Sequence, residues 1–447
     1  MKVLEGQPPL TAVVKDHVRP GEQILLVENR REQMSVRVKQ GRLEAVERGH
    51  EAFQAVRLIT EGRFGYQGAR AADWSELLAD ARRHAAQGPS ADWTLSDLGP
   101  AYEPNPAEVP DPSPEALCVQ ARALSASVQS MRDGLVPQVQ IRWTRHVTRM
   151  ADEQGRERRW VQTEGQIAVN GRVVKGQDFW TVGDHVGKAG GLPDADALLA
   201  HVRERLDWGR HIVDLPPGAY PVLVLPPVGL SLLTAIVARL SAPAVVTRTS
   251  PWVDRVGARV LHPSVSLYSD PTVEDGPRSV PWDDEGTPTR RVPLVEEGAV
   301  REWILDRQGA YQLGILPPGT AFSGELGSLP TARPSNLVVG KGQQEDGSLL
   351  ASHPRLLILE GWIGGRPVNP LRGEIAGTAT GLYLVEHGAV VGRIKNAVVS
   401  VNAFDAWGDR LLALSRARRW VGGGMMQLAP ALLPSLLVDK VGVARKT

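Results

Sequence analysis

The residues best suited to chemistry in this chain lie between Ser269 and Gly314. There Asp283, Asp284 and Glu285 stand in a row, followed by Gly286. Three adjacent carboxylates can bind an oxygen-seeking cation, or raise one another's pKa until one serves as a general base. The same residues can also build a turn, with aspartate side chains accepting backbone N–H bonds and glycine supplying a positive φ. A second candidate is Gly422-Gly423-Gly424, where backbone can approach a bound peptide closely. The other reactive residue types are scattered. None of the ten histidines has a second histidine four residues on, and none shares a segment with Cys118, the only cysteine. No Gly-x-Ser-x-Gly elbow is present. Gly187–Gly191 does not fit a phosphate-binding loop. The basic runs Arg156–Arg159 and Arg416–Arg419 are short. Catalytic, metal-ligating and cofactor-binding residues are therefore expected to be none. Asp283, Asp284, Glu285, Gly286, Gly422, Gly423 and Gly424 are expected to act in structure or in contact with a partner or peptide.

Composition sets the frame for those residues. The chain has 447 residues, 42% hydrophobic and 23% charged, with a formal net charge of +1. A chain this long buries about three quarters of its unfolded surface and needs no metal or disulfide to fold. Its charge balance gives no argument for nucleic-acid binding. The start of the chain lacks the roughly 7–15-residue apolar core of a signal peptide. The most apolar stretch, Tyr220–Leu240, is interrupted by Pro221, Pro226, Pro227 and Arg239. A cytoplasmic chain without membrane contact is the expectation.

Alternating apolar residues predict four short strands within 34–68, with turns at Gln40-Gly41, Arg48-Gly49 and Glu61-Gly62. A helix follows at 72–86, capped by Asp73. Five prolines in 101–114 mark a linker. Beyond it come a helix at 114–131, strands at 138–150, 159–169 and 172–182, and a helix at 194–208. The third region opens with a strand at 222–225, a helix at 228–240 and a strand at 244–248. A hairpin, 291–295 with 299–306, and many short β runs follow. The expected fold class is α+β: two small N-terminal α/β modules, 1–100 and 113–213, then a large antiparallel β-rich, partly barrel-like C-terminal domain, 214–447.

The order of these parts resembles the TldD/PmbA (TldD/TldE) family. The resemblance rests on the N-terminal hairpins, Asp283–Gly286, Arg333–Val339, Gly373-Glu374-Ile375, His387-Gly388, Ile394-Lys395-Asn396 and Pro434–Val438. Members of that family include zinc peptidases once described as modulators of DNA gyrase. Peptidases of that family carry His-Glu-x-x-x-His on the helix that is Val228–Leu240 here, and a cysteine from the C-terminal region. This helix reads VGLSLLTAIVARL, and Gly422–Gln427 reads GGGMMQ. The two histidines of that motif grip a metal from one helix, and the glutamate between them acts as base. Both the helix ligands and the thiolate are missing here.

The resemblance therefore implies a PmbA/TldE-type chain, the metal-free and non-catalytic subunit of a cytosolic peptidase acting on unfolded peptides. Its partner would be a metal-bearing TldD-like paralogue, or a second copy of itself in a homodimer. The rival expectations are a stand-alone homodimeric binding or regulatory protein, including the gyrase-modulator idea, and a hydrolase with an unrecognised site.

Overall fold

Period-2 alternation organises the first half of the chain into long strands. The computed structural model describes residues 9–70, 72–96, 98–101, 110–175, 178–365, 372–422 and 429–445. After helix α1 (Leu10–His17) come β1 (Gln23–Lys39), β2 (Arg42–Thr60), β3 (Arg63–Ala69) and α2 (Trp74–Ala85). Then follow α3 (Pro114–Gln129), β4 (Leu135–Asp152), β5 (Glu157–Lys175), β6 (Asp178–Ala189) and α4 (Asp196–Trp208). The reversals at Gln40-Gly41 and Glu61-Gly62 occur where sequence places them, with positive φ at all four residues, as a tight hairpin turn requires. Arg48-Gly49 does not turn. Gly49 pairs with Gln33 inside β2, so the four short runs expected at 34–68 are parts of three long strands. The strand expected at 172–182 is likewise divided, between the end of β5 and the start of β6.

The two N-terminal modules share one antiparallel sheet of order β3-β2-β1-β4-β5-β6, joined where β1 pairs with β4 from Leu25↔Asp152 to Lys39↔Gln138. One face carries all four helices. Leu26, Val56 and Ala151 pack with α1 and α2, while Val36, Ile141 and Ile167 pack with α3 and α4. The caps follow sequence logic: Asp73 accepts from Ser75 N, and Ser113 accepts from Ala116 N ahead of Pro114 in the first turn of α3. The other face of the sheet carries no helix.

The second half holds β7 (Gly218–Val224), α5 (Pro226–Leu240), α6 (Ala242–Val246), β8 (Leu267–Ser269), β9 (Val292–Glu296), β10 (Ala299–Val300) and α7 (Arg307–Gln312). Next come β11 (Ala321–Phe322), β12 (Thr331–Ala332), β13 (Leu337–Val339), α8 (Asp346–Ala351), β14 (Arg355–Ile363) and β15 (Glu374–Glu386). The chain closes with β16 (Ala389–Arg393), β17 (Ala397–Asn402), α9 (Ala403–Trp407), β18 (Leu411–Val421) and β19 (Ala431–Arg445). Strands β7, β14, β15, β17 and β19 close on themselves, because β19 pairs with both β17 and β7. The fold is thus α+β with a five-stranded barrel in the C-terminal sheet. The stretch expected as a strand at 244–248 is instead α6: Pro243 sits in its first turn, where a missing N–H costs nothing, and this outweighs the β preference of Val245 and Val246. The hairpin at 291–306 also ends early, since β10 is only Ala299–Val300.

The two halves meet at Trp282. Its ring enters an apolar strip on the helix-free face made by Leu25, Val27, Ala55, Ile59 and Met150, and its Nε1 donates to Gly99 O at 3.1 Å. The Trp160 ring lies 5.6 Å away, tilted by 39°. A second junction joins α4 to the barrel. Arg205 donates to Glu360 at 2.9 Å, Tyr383 donates to the other oxygen of that carboxylate at 3.0 Å, and Trp208 meets Tyr383 edge-on. Replacing Trp282 by alanine empties a buried aromatic site between the halves. The expected loss is about 3–5 kcal/mol, measured as a lower unfolding midpoint in urea, with separate transitions for the two halves as the sign that the junction has opened.

Candidate functional site

Each carboxylate of Asp283–Glu285 accepts at least one backbone N–H bond. Asp283 is buried, and its Oδ1 accepts from Glu285 N at 3.0 Å and Thr287 N at 2.9 Å, while Oδ2 accepts from Ala321 N at 3.1 Å. Asp284 Oδ2 accepts from Ser323 N at 2.7 Å. Glu285 accepts from Arg307 N at 2.7 Å, at the start of α7. Gly286 has φ +72°, and a Cβ there would stand 2.8 Å from Ser96 Oγ and 2.9 Å from Leu98 Cδ2. The turn therefore ties α7 and β11 together and presses against the N-terminal half. Burial pushes the Asp283 carboxyl up to about 7, and the neighbouring Glu285 charge adds to this, against the pull of the Thr287 and Ala321 N–H groups. Burial also raises Glu285, opposed by the buried Arg57 guanidinium.

Other residues singled out in the sequence lie apart from this turn. Gly422 has φ +81°, and a Cβ on it would approach Leu230 of α5 at 2.9 Å and Ala429 O at 3.0 Å. Gly423 and Gly424 lie outside the described residues. Cys118 is half-buried on α3, in the helical layer over the first sheet.

Helix α5 is apolar and mostly buried, with Val228, Leu232, Leu233 and Ile236 in the largest core. Its partly accessible positions include Pro227, Ser231, Thr234 and Ala238, a helical stripe. The only polar side chains on that stripe are two hydroxyls, and Thr234 Oγ1 donates to Ser231 O at 2.6 Å. Zinc is held by imidazole, thiolate or carboxylate, so this stripe does not fit a zinc ion. Among the described residues no group of three His, Cys, Asp or Glu side chains is placed to hold a metal.

Sequence reasoning missed the polar character of the helix-free sheet face. Beyond the apolar strip around Trp282, cross-strand neighbours form a block. It comprises Arg31, Gln33 and Ser35 on β1, Arg142, Thr144 and His146 on β4, and Gln162, Glu164 and Gln166 on β5. Gly187 and Ala189 of β6 complete the rows. The 270–280 segment crosses its end: Gln162 donates to Pro277 O, Ala189 N donates to Asp275 O at 3.3 Å, and Lys188 pairs with Asp275. Arg278 on this segment rests 5.4 Å from the Phe322 ring. Burial, with Arg31 and Arg278 nearby, lowers the His146 pKa to about 4. Burial raises Glu164, against a Gln166 hydrogen bond and the charges of Arg278 and Arg142. The signal was present in β5, where Gln162, Glu164 and Gln166 alternate with Val161, Thr163 and Gly165.

A cavity of about 730 Å³ also opens beside β15, β17 and β19, bordered by Glu374, Ser400, Asp405, Arg410 and Lys440. Arg410 there is engaged by Asp405 at 3.4 Å and by Lys440 O at 3.2 Å.

Asp283→Asn places an amide N–H against the Ala321 N–H. It is expected to destabilise by about 1–3 kcal/mol. Between about pH 4 and 7 the unfolded chain has lost the Asp283 proton that the folded chain keeps, so Asp283 makes stability fall as pH rises through that window. The gap in melting temperature between parent and variant should therefore shrink from pH 5 to pH 7.5; a gap that widens means that the folded carboxylate is ionised.

Comparison with known proteins fits this architecture. The PmbA/TldA metallopeptidase C-terminal domain description matches residues 217–445. A metalloprotease TldD homolog of Haemophilus influenzae is 25% identical over 201 residues, 44% of this chain and 42% of that protein. The matches to curated relatives thus span less than half of those proteins' length. The fold of TldE from Thermococcus kodakarensis superposes with a TM-score of 0.86 at 18% identity, covering 97% of this chain and 99% of the other. A Thermotoga maritima protein named for modulation of a DNA gyrase gives 0.80 at 18% identity, covering 97% and 98%. The matched domain spans more than half of this sequence, and the chain belongs to the PmbA/TldD family.

Proposed function

We propose that this chain is the metal-free, non-catalytic subunit of a peptidase of the TldD/TldE kind, and that it forms part of the enclosure in which a metal-bearing paralogue cuts unfolded peptides. The observation that carries the reading is a contrast within one molecule. The architecture extends across nearly the whole length of a TldE structure, yet the α5 stripe offers only Ser231 and Thr234. Peptide hydrolysis at neutral pH needs an activated nucleophile, and a zinc-bound water of pKa about 7 is the usual source in metallopeptidases. Hydroxyls without a placed base do not replace it.

The polar sheet face supports the same reading. A buried sheet face is normally apolar, and a bare one is normally a solvated exterior. Here the face is half-buried beneath the 270–280 segment, yet lined by amides, hydroxyls and charges. Such a surface suits a water-filled space that holds an extended polypeptide through side-chain contacts. The Asp283–Gly286 turn contributes by holding the C-terminal half over this face. Gly422, packed against Leu230 of α5, is a candidate peptide contact within this reading, as are Gly423 and Gly424, which lie outside the described residues. Within this reading the chain needs no cofactor of its own and works in the cytoplasm; no helix among the described residues is long and apolar enough to cross a membrane.

Elemental analysis of tag-free protein after dialysis should find no stoichiometric zinc; about one zinc per chain contradicts the reading. In peptidase assays on unfolded peptides, this chain alone should be inactive. Mixed with the metal-bearing paralogue it should co-elute and raise turnover above that of the paralogue alone. A mixture that neither co-elutes nor gains activity favours a homodimeric binding protein instead.

A further inference from the structure

We propose that the 270–280 segment is a strap that lifts off the first sheet to admit a peptide to the polar face, with Asn336 as its fixed base and Asp275 as its catch. The inference rests on the peptide-handling function proposed above and names the part of the fold that controls entry.

The strap is folded as one piece and fastened to the C-terminal half. Asp270 Oδ1 accepts from Thr272 N at 2.9 Å and from Thr272 Oγ1 at 2.7 Å. Ser279 Oγ donates to Val273 O at 2.8 Å, and Ser279 N donates to Gly276 O at 3.0 Å. Glycine is required at that crossing, since a Cβ on Gly276 would stand 2.5 Å from Ser279 Oγ and 2.6 Å from Asn336 Nδ2. Such internal bonds let a compact loop keep its shape without outside support. Asn336, fully buried just ahead of β13, closes the base. Its Nδ2 donates to Asp270 O at 3.0 Å and to Ser279 Oγ at 3.1 Å, and its Oδ1 accepts from Arg278 N at 2.8 Å. Asp270 N donates to Asn336 O at 2.8 Å, and the Arg278 guanidinium rests over the Phe322 ring of β11.

The grip on the first sheet is of another kind. The tip of the strap is Asp275, exposed and held at φ +62°. Its carbonyl accepts from Ala189 N at 3.3 Å, and its carboxylate pairs with Lys188 at 3.4 Å, where both side chains are nearly half exposed. Gln162 of β5 donates to Pro277 O. An exposed ion pair is screened by solvent, and a long bond at a loop tip adds little to it. The bonds at the base are shorter and buried, where they are stronger. The strap therefore leaves the sheet as a unit before its base gives way, as hinged lids do. It crosses the polar face at Gln162 and Ala189, so lifting it uncovers that end of the face to an extended chain.

The backbone bond between Ala189 and Asp275 places their Cα atoms within reach of a disulfide. Ala189→Cys with Asp275→Cys, in a Cys118→Ala background, therefore locks the strap on oxidation and frees it on reduction. Uptake of a fluorescein-labelled, unstructured casein peptide by the full chain, alone and with its paralogue, is followed by stopped-flow anisotropy. The oxidised protein should take up peptide at least about tenfold more slowly than the reduced protein, and peptide bound before oxidation should leave more slowly by a similar factor. Lys188→Glu sets a like charge against Asp275 and should speed uptake about two- to threefold, with an unchanged melting temperature. Equal uptake by the oxidised and reduced forms, or no gain from Lys188→Glu, overturns the strap. A cysteine pair that does not oxidise overturns the catch at Asp275. Failure of both the parent and the reduced variant to bind the peptide overturns the peptide-handling function itself.

Discussion

The architecture depends on the burial of one turn between two layers. Trp282 fills an apolar strip of the first sheet, and the next three residues are carboxylates that cannot follow it into an apolar site as free charges. The turn resolves this by pointing Asp283 at three backbone N–H groups, Asp284 at one and Glu285 at the first N–H of α7. Gly286 lets the chain leave at positive φ where a side chain would strike Ser96 and Leu98. Acidity at this position is therefore a way of ordering loops that have no regular partners. The same groups that look like a catalytic cluster in the sequence each accept at least one backbone N–H bond in the fold.

That junction determines what the first sheet can present. All four N-terminal helices cover one face, and the C-terminal half meets the other at the Trp282 strip and through the 270–280 segment. The uncovered remainder is polar, long and half-enclosed. A barrel closed by β19 pairing on both sides supplies a rigid base for the 270–280 segment that overhangs it, since β13 pairs with both β19 and β8, just ahead of that segment. Under the proposed function this surface holds a polypeptide, while the α5 stripe carries only the hydroxyls of Ser231 and Thr234.

Much of this was legible in the sequence, for identifiable reasons. Hairpins at Gln40-Gly41 and Glu61-Gly62, caps at Asp73 and Ser113, and the apolar helix at 228–240 all follow from local chemistry. The failures involve tertiary context. Gly49 resembles a turn residue but lies mid-strand, because β1 supplies an uninterrupted partner. Val245 and Val246 resemble a strand but follow a proline-initiated helix. The joining of the two N-terminal modules through β1 and β4 involves residues more than a hundred positions apart, which no local pattern reveals. The Asp283–Gly286 turn was visible as a turn, but its burial was not, because composition gives no sign of the Trp282 pocket. The polar block was encoded as alternation in β5, yet its meaning depended on which face the helices occupy.

The central claim is that the helix-free face is where this chain meets peptide. Photo-crosslinking addresses it directly: an unfolded peptide carrying a benzophenone is irradiated with the assembled protein, and the attachment sites are read by mass spectrometry. The account predicts crosslinks concentrated on β4, β5 and the 270–280 segment, around Thr144, Gln166 and Arg278. Crosslinks confined to the helical layer over α3 and α4, or to the cavity bordered by Glu374 and Lys440, would contradict it.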